Sequence, residues 1–175
     1  GRADGVVRSV VGADSVALQD RTGNRASTST CWAANLMWVR QHEPEVWARV
    51  RHVCMLNSYI AMRMTGELAI DPTQASYSGL MDVRQATPQW DADLVSLWQV
   101  TPTWLPPVVP ASTQLGAVQP DAAALTGVPV GTAVSLGVAD TAAAAFAMQL
   151  RTNGQAFESV GTSGVITFCL DQPGF

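Results

Sequence analysis

Two short stretches carry residue types that can do chemistry together. Asp140 follows an uncharged apolar run at residues 133–138 and precedes Thr141 and an alanine-rich segment that reaches residue 148. The run predicts a short buried strand, and the alanines predict a helix. Asp140 is therefore expected at the helix N-cap, where its carboxylate can accept helix N–H bonds and meet the positive end of the dipole. Further on, Gly161, Thr162, Ser163 and Gly164 separate two apolar runs, 155–160 and 165–170, the pattern of a β-hairpin. Alone, an acid before a helix is an ordinary cap, and a Gly-Thr-Ser-Gly turn is an ordinary turn. Together, a proton acceptor and a turn rich in N–H and O–H donors are parts of a phosphoryl-transfer site.

The elements that must position these groups can be read from periodicity. Residues 1–20 predict a short amphipathic helix broken near 12–15, and 21–30 form a polar loop. A helix is expected from Cys31 to Gln41 with Trp32, Leu36 and Val39 on one face. Pro44 opens another, through residue 50. Across 51–65, Val53, Leu56, Ile60 and Met64 recur at helical spacing, and Gly66 supplies the stop. Residues 71–78 read as a loop or a short turn of helix. Asp91 caps a helix to about Trp98, with Trp90 placed to staple onto Val95. Four prolines between Thr101 and Pro110 exclude helix interior and mark the best domain boundary. Beyond it come an edge strand at 114–118 and a helix opened by Pro120 and closed by Gly127.

Composition narrows the classes of function. The chain has 175 residues, enough for one ordinary domain, and with 47% hydrophobic residues it can fill a core. The net charge is −4, and every basic residue is Arg, so there is no basic footprint for nucleic acid. Cys31, Cys54 and Cys169 are far apart and odd in number, which suits reduced thiols better than disulfides or zinc. His42 and His52 have no partner at ligand spacing, so both read as structural. No apolar run is long enough to span a membrane, and no signal peptide pattern is present, so a cytoplasmic location is expected.

The wording of several segments resembles the FGGY carbohydrate kinases, the group of xylulokinase and glycerol kinase. Gly137-Val138-Ala139-Asp140-Thr141-Ala142-Ala143-Ala144 followed by Ser159-Val160-Gly161-Thr162-Ser163-Gly164 is similar to the middle of those enzymes. Asn57 through Glu67, with its Met64-Thr65-Gly66-Glu67 end, resembles the family's aromatic-then-LTGE helix. Asp71, Ala75-Ser76 and Leu80-Met81-Asp82 fit the loop that follows it, and Leu105-Pro106-Pro107-Val108 with 126–132 resembles the crossover into the second lobe.

The resemblance implies an α/β actin/hexokinase-like ATPase of ribonuclease H-like fold, present here as a fragment. Residues 1–109 would be the helical part of the first lobe, α-rich, and 110–175 the start of the second, a small α+β unit. Asp140 takes the position of the catalytic base. Gly161, Thr162, Ser163 and Gly164 take that of an ATP phosphate loop, whose glycines let backbone approach phosphate oxygens. Thr141, Thr30 and Trp32 fall at substrate-facing positions beside Asp140. ATP and Mg²⁺ are the implied cofactors, and a xylulose-like pentulose or a polyol is the implied substrate. Thr141 and Asn35 stand where xylulokinases usually carry Asn and Lys. No Asp-x-Gly-Thr phosphate turn occurs in the chain. The chain is therefore expected to be the middle of a kinase, inactive alone, with open strand edges that favour a homodimer. The alternative is a non-catalytic remnant kept for structure or interaction.

Overall fold

In the computed structural model, residues 2–12, 15–26, 31–161 and 164–172 are described. The first part is helical. Where a single broken helix is expected, α1 (Asp4–Val11) ends at Gly12 and α2 (Ser15–Thr22) follows. α3 (Trp32–His42) is followed by a single turn, α4 (Pro44–Trp47), shorter than the helix predicted to residue 50. Buried apolar side chains from α1, α2 and α3 meet Leu94, Val95 and Trp98 in the main core. The buried face of α3 is Ala33, Ala34 and Met37 rather than Trp32, Leu36 and Val39, which are half-buried. Small alanines let α3 approach its neighbours closely, and the larger side chains splay to the rim.

α5 (Leu56–Thr65) begins later than predicted, because residues 51–55 are non-helical. It ends as expected, with Gly66 left-handed at φ +84° and its N–H donating to Met62 O at 2.7 Å. Its face is a correction. Leu56 and Ile60 of the predicted stripe are exposed, whereas Ser58, Ala61 and Thr65 are buried. The reason is the element that covers it. β1 (Gln114–Ala117) and β2 (Ala133–Ser135) pair antiparallel and pack on α5. Gly116 sits so close that a Cβ there would lie 3.0 Å from Thr65 Cβ. Only small α5 side chains permit that approach.

α6 (Pro72–Ser76) and α7 (Ala92–Leu97) share a start signal. Asp71 accepts the amides of Thr73 and Gln74, and Asp91 accepts those of Asp93 and Leu94. The proline-rich stretch is bonded into the fold. Ile70 N donates to Pro107 O and Val109 N to Ile70 O, which makes a parallel bridge from Ile70 to Val108. α8 (Pro120–Thr126) opens on Pro120 and closes on Gly127 at φ +76°, as its sequence requires. The segment 133–138 is not a buried strand along its length. β2 covers three residues of it and is largely exposed, and only Leu136 is buried.

The last elements carry the chemistry-bearing residues. α9 (Asp140–Ala147) follows β2, and β3 (Ala156–Val160) pairs antiparallel with β4 (Gly164–Phe168). Ala156 faces Phe168 at one end and Val160 faces Gly164 at the turn, so the predicted hairpin forms in register. Among the described residues each sheet has two strands, which leaves Val160, Ile166 and Phe168 exposed.

Candidate active site

The turn from β2 into α9 is built around Ala139. Ala139, not Asp140, is the N-cap residue, with extended backbone at φ −60° and ψ 149°, and it is buried. An alanine has no side chain to cap with, so another residue takes over. Ala139 N donates to Thr73 Oγ1 at 2.8 Å. Asp140 is thereby the first residue inside the helix, exposed to solvent. Its Oδ1 accepts from Thr141 N at 2.7 Å and from Thr141 Oγ1 at 3.4 Å. Oδ2 has no hydrogen-bond partner among the described residues, so one carboxylate oxygen is held and the other is not.

Asp140 and Thr141 form one wall of a cleft of about 420 Å³. Ala144 continues that wall, and Phe157, Ser159, Gly161 and Val165 of the hairpin form the other. The fold therefore brings together the two stretches that the sequence singled out. Gly164 opens β4 beside the turn, where the pairing with Val160 closes the loop. Thr30, Thr162 and Ser163 lie outside the described residues. Trp32 is not part of this cleft. It opens α3, half-buried, with its indole edge-on to Trp90 at 6.2 Å and 79°. Its Nε1 is buried with no hydrogen-bond partner among the described residues.

The histidines take no part. His42 stacks on Trp38 at 4.6 Å, its Nδ1 lies 3.0 Å from Trp38 O, and His52 is exposed on the surface. Asp140 is the one acid lining the cleft, and among the described residues no three His, Cys, Asp or Glu side chains converge. These residues do not form a Mg²⁺ site by themselves. Thr73 was not singled out from the sequence. The signal for it was Asp71-Pro72-Thr73, an N-cap acid followed by a proline at the first helical position.

A carboxylate at the start of a helix thus lies across a cleft from a glycine turn, and comparison with known proteins gives the class. The architecture is shared with sugar kinases of the actin/hexokinase-like ATPase fold, of which this chain holds part. It superposes on the xylulose kinase of Rhodospirillum rubrum with a TM-score of 0.84 at 37% identity, over 95% of this chain and 34% of that one. The pattern of the FGGY family of carbohydrate kinases, N-terminal domain, matches residues 2–147, and the chain belongs to that family. It is 34% identical over 145 residues to a probable L-xylulose kinase of Pasteurella multocida, covering 79% of this chain and 29% of the relative. It is 33% identical over 133 residues to a xylulose kinase of Klebsiella pneumoniae, covering 76% and 27%. The chain thus spans less than a third of the length of these curated relatives. No helix among the described residues is long and apolar enough to cross a membrane.

Proposed function

We propose that this chain supplies the base and one phosphate-facing turn of an ATP-dependent carbohydrate kinase acting on a pentulose of the xylulose type. The supporting observation is the cleft that has Asp140 on one wall and Gly161 on the other. Asp140 Oδ2 accepts the proton of a substrate hydroxyl as that oxygen attacks the γ-phosphorus of ATP, and ADP leaves with the bridging oxygen. Thr141, by occupying Oδ1, turns Oδ2 to the proton. The hairpin offers backbone N–H groups to phosphate oxygens, with Gly161, Thr162, Ser163 and Gly164 as the loop. ATP and the sugar are substrates, and xylulose is favoured by what the relatives are named for.

The test is a coupled ADP-release assay with D-xylulose on the kinase polypeptide that carries this chain, with and without Asp140→Asn. Loss of turnover by about 10²–10⁴-fold with the fold intact is expected for removal of a general base. Turnover within threefold of the unsubstituted enzyme overturns the reading. The 175-residue chain alone is expected to show no turnover, because among the described residues the cleft is lined by one carboxylate and one turn.

A further inference from the structure

The residue before Asp140 is held by a chain of hydrogen bonds that starts at Asn57, 14 residues before Asp71. Asn57 Nδ2 on α5 donates to Asp71 Oδ2 at 3.3 Å. Asp71 is fully buried, and its Oδ1 accepts Thr73 N at 2.9 Å and Gln74 N at 3.2 Å. The same oxygen accepts the Thr73 hydroxyl proton in a short bond. A threonine hydroxyl has one proton and two lone pairs. With its proton committed to Asp71, Thr73 Oγ1 presents only acceptor capacity to α9, and the Ala139 amide fills it at 2.8 Å. The bond to Asp71 polarises the hydroxyl oxygen toward the second bond.

We propose that Thr73 is the positioning residue of the site: oriented by Asp71, its hydroxyl clamps the Ala139 amide and so sets the backbone from which Asp140 projects. The inference rests on the reading of Asp140 as the base. Ala139 precedes Asp140 directly, so a shift of its peptide plane swings the Asp140 Cβ and carboxylate. Displacement of a reacting group by about 1 Å can cost about 10²-fold in rate. The N-cap residue itself is an alanine and makes no side-chain cap bond. The bond from Ala139 to Thr73 joins residues 66 positions apart in the chain.

The experiment compares Thr73→Val and Thr73→Ser. In the isotope-labelled chain, amide hydrogen exchange is read by NMR at Ala139, with the core amides of Leu94 and Trp98 as the control for global opening. Thr73→Val is expected to speed exchange at Ala139 at least tenfold beyond any change at Leu94 and Trp98, and Thr73→Ser to keep it within threefold. An Ala139 amide that exchanges alike in all three proteins, or that changes only in step with the controls, overturns the clamp. Should Thr73→Val not fold, the serine variant and the unsubstituted chain decide: an unprotected Ala139 amide in either one overturns it. In the kinase polypeptide, Thr73→Val should lower kcat at least tenfold with KM within threefold, and Thr73→Ser should restore it. A change confined to KM also overturns the proposal. If Asp140→Asn leaves turnover intact while the Ala139 amide still depends on Thr73, the catalytic reading falls and the clamp stands.

Discussion

Arg21 Nη2 donates to Asp91 Oδ1 at 2.8 Å, and that same oxygen takes the amides of Asp93 and Leu94 at 3.0 Å each. One guanidinium on α2 thus locks the cap of α7. Its Nε reaches Asp82 Oδ2 at 3.3 Å, so the fork spans both acids that flank the loop between Met81 and Trp90. Asp82 and Asp91 are buried, whereas the Arg21 side chain keeps 28% of its surface exposed.

Arg21→Ala should therefore destabilise the chain by about 1–3 kcal/mol, because it leaves buried carboxylate oxygens short of a partner. Arg21→Lys should recover only part of this, since an ammonium cannot address two carboxylates with a planar fork. Urea unfolding followed by tryptophan fluorescence measures both. A loss below about 0.5 kcal/mol for the alanine variant would show that the α7 cap holds without the guanidinium.

Acid should weaken the fold through Asp82 only at low pH. The hydrogen bond from the Arg84 side chain holds its carboxyl well below the usual range, to about 2, against the opposing push of burial, and the Arg84 amide and Arg21 add to the lowering. A folded value below the unfolded one gives stability that is complete above about pH 4 and is lost as pH falls toward 2. Urea midpoints taken in steps across that window should fall steeply, and in Asp82→Asn they should fall less. Equal slopes for the two proteins would remove Asp82 as the source.

Gly79 combines two constraints. Its φ is +77°, and a Cβ there would run into Cys31 Sγ. Gly79→Ala should cost about 2–4 kcal/mol, from left-handed backbone and from overpacking. Adding Cys31→Ala should return the packing part and leave the backbone part. If the double variant is no more stable than Gly79→Ala, the sulfur is not the obstacle.

The Cys31 thiol is pushed up to about 11 by burial, which outweighs the backbone amides of Ala34 and Ala33 that favour the thiolate. Alkylation by iodoacetamide at pH 8, located by peptide mass spectrometry, should leave Cys31 unmodified in the folded chain while half-buried Cys169 is labelled. Both should react in urea. Rapid labelling of Cys31 without denaturant would show that the α3 N-terminus opens.

Local signals decided the ends of elements. Pro120 and Gly127 bracket α8, Gly66 stops α5, and Asp71 and Asp91 cap α6 and α7, because capping and left-handed backbone depend on one residue and its nearest neighbours. The hairpin was equally legible, since the apolar runs on either side of residues 161–164 register against each other over a few residues.

What the sequence by itself determined, then, was where the helices and the hairpin fall, and that Asp140 and the glycine turn belong together in the order of a sugar kinase. Which face each helix buries was decided only by tertiary structure. Leu56 and Ile60 repeat at helical spacing, yet α5 turns Ser58, Ala61 and Thr65 inward, because β1 approaches through Gly116 and leaves room for nothing larger. Periodicity reports that an apolar stripe exists, not what will cover it. The clamp of Thr73 on Ala139 was hidden for the same reason: a hydroxyl and an amide 66 residues apart leave no local trace, and only the folded chain brings them to 2.8 Å.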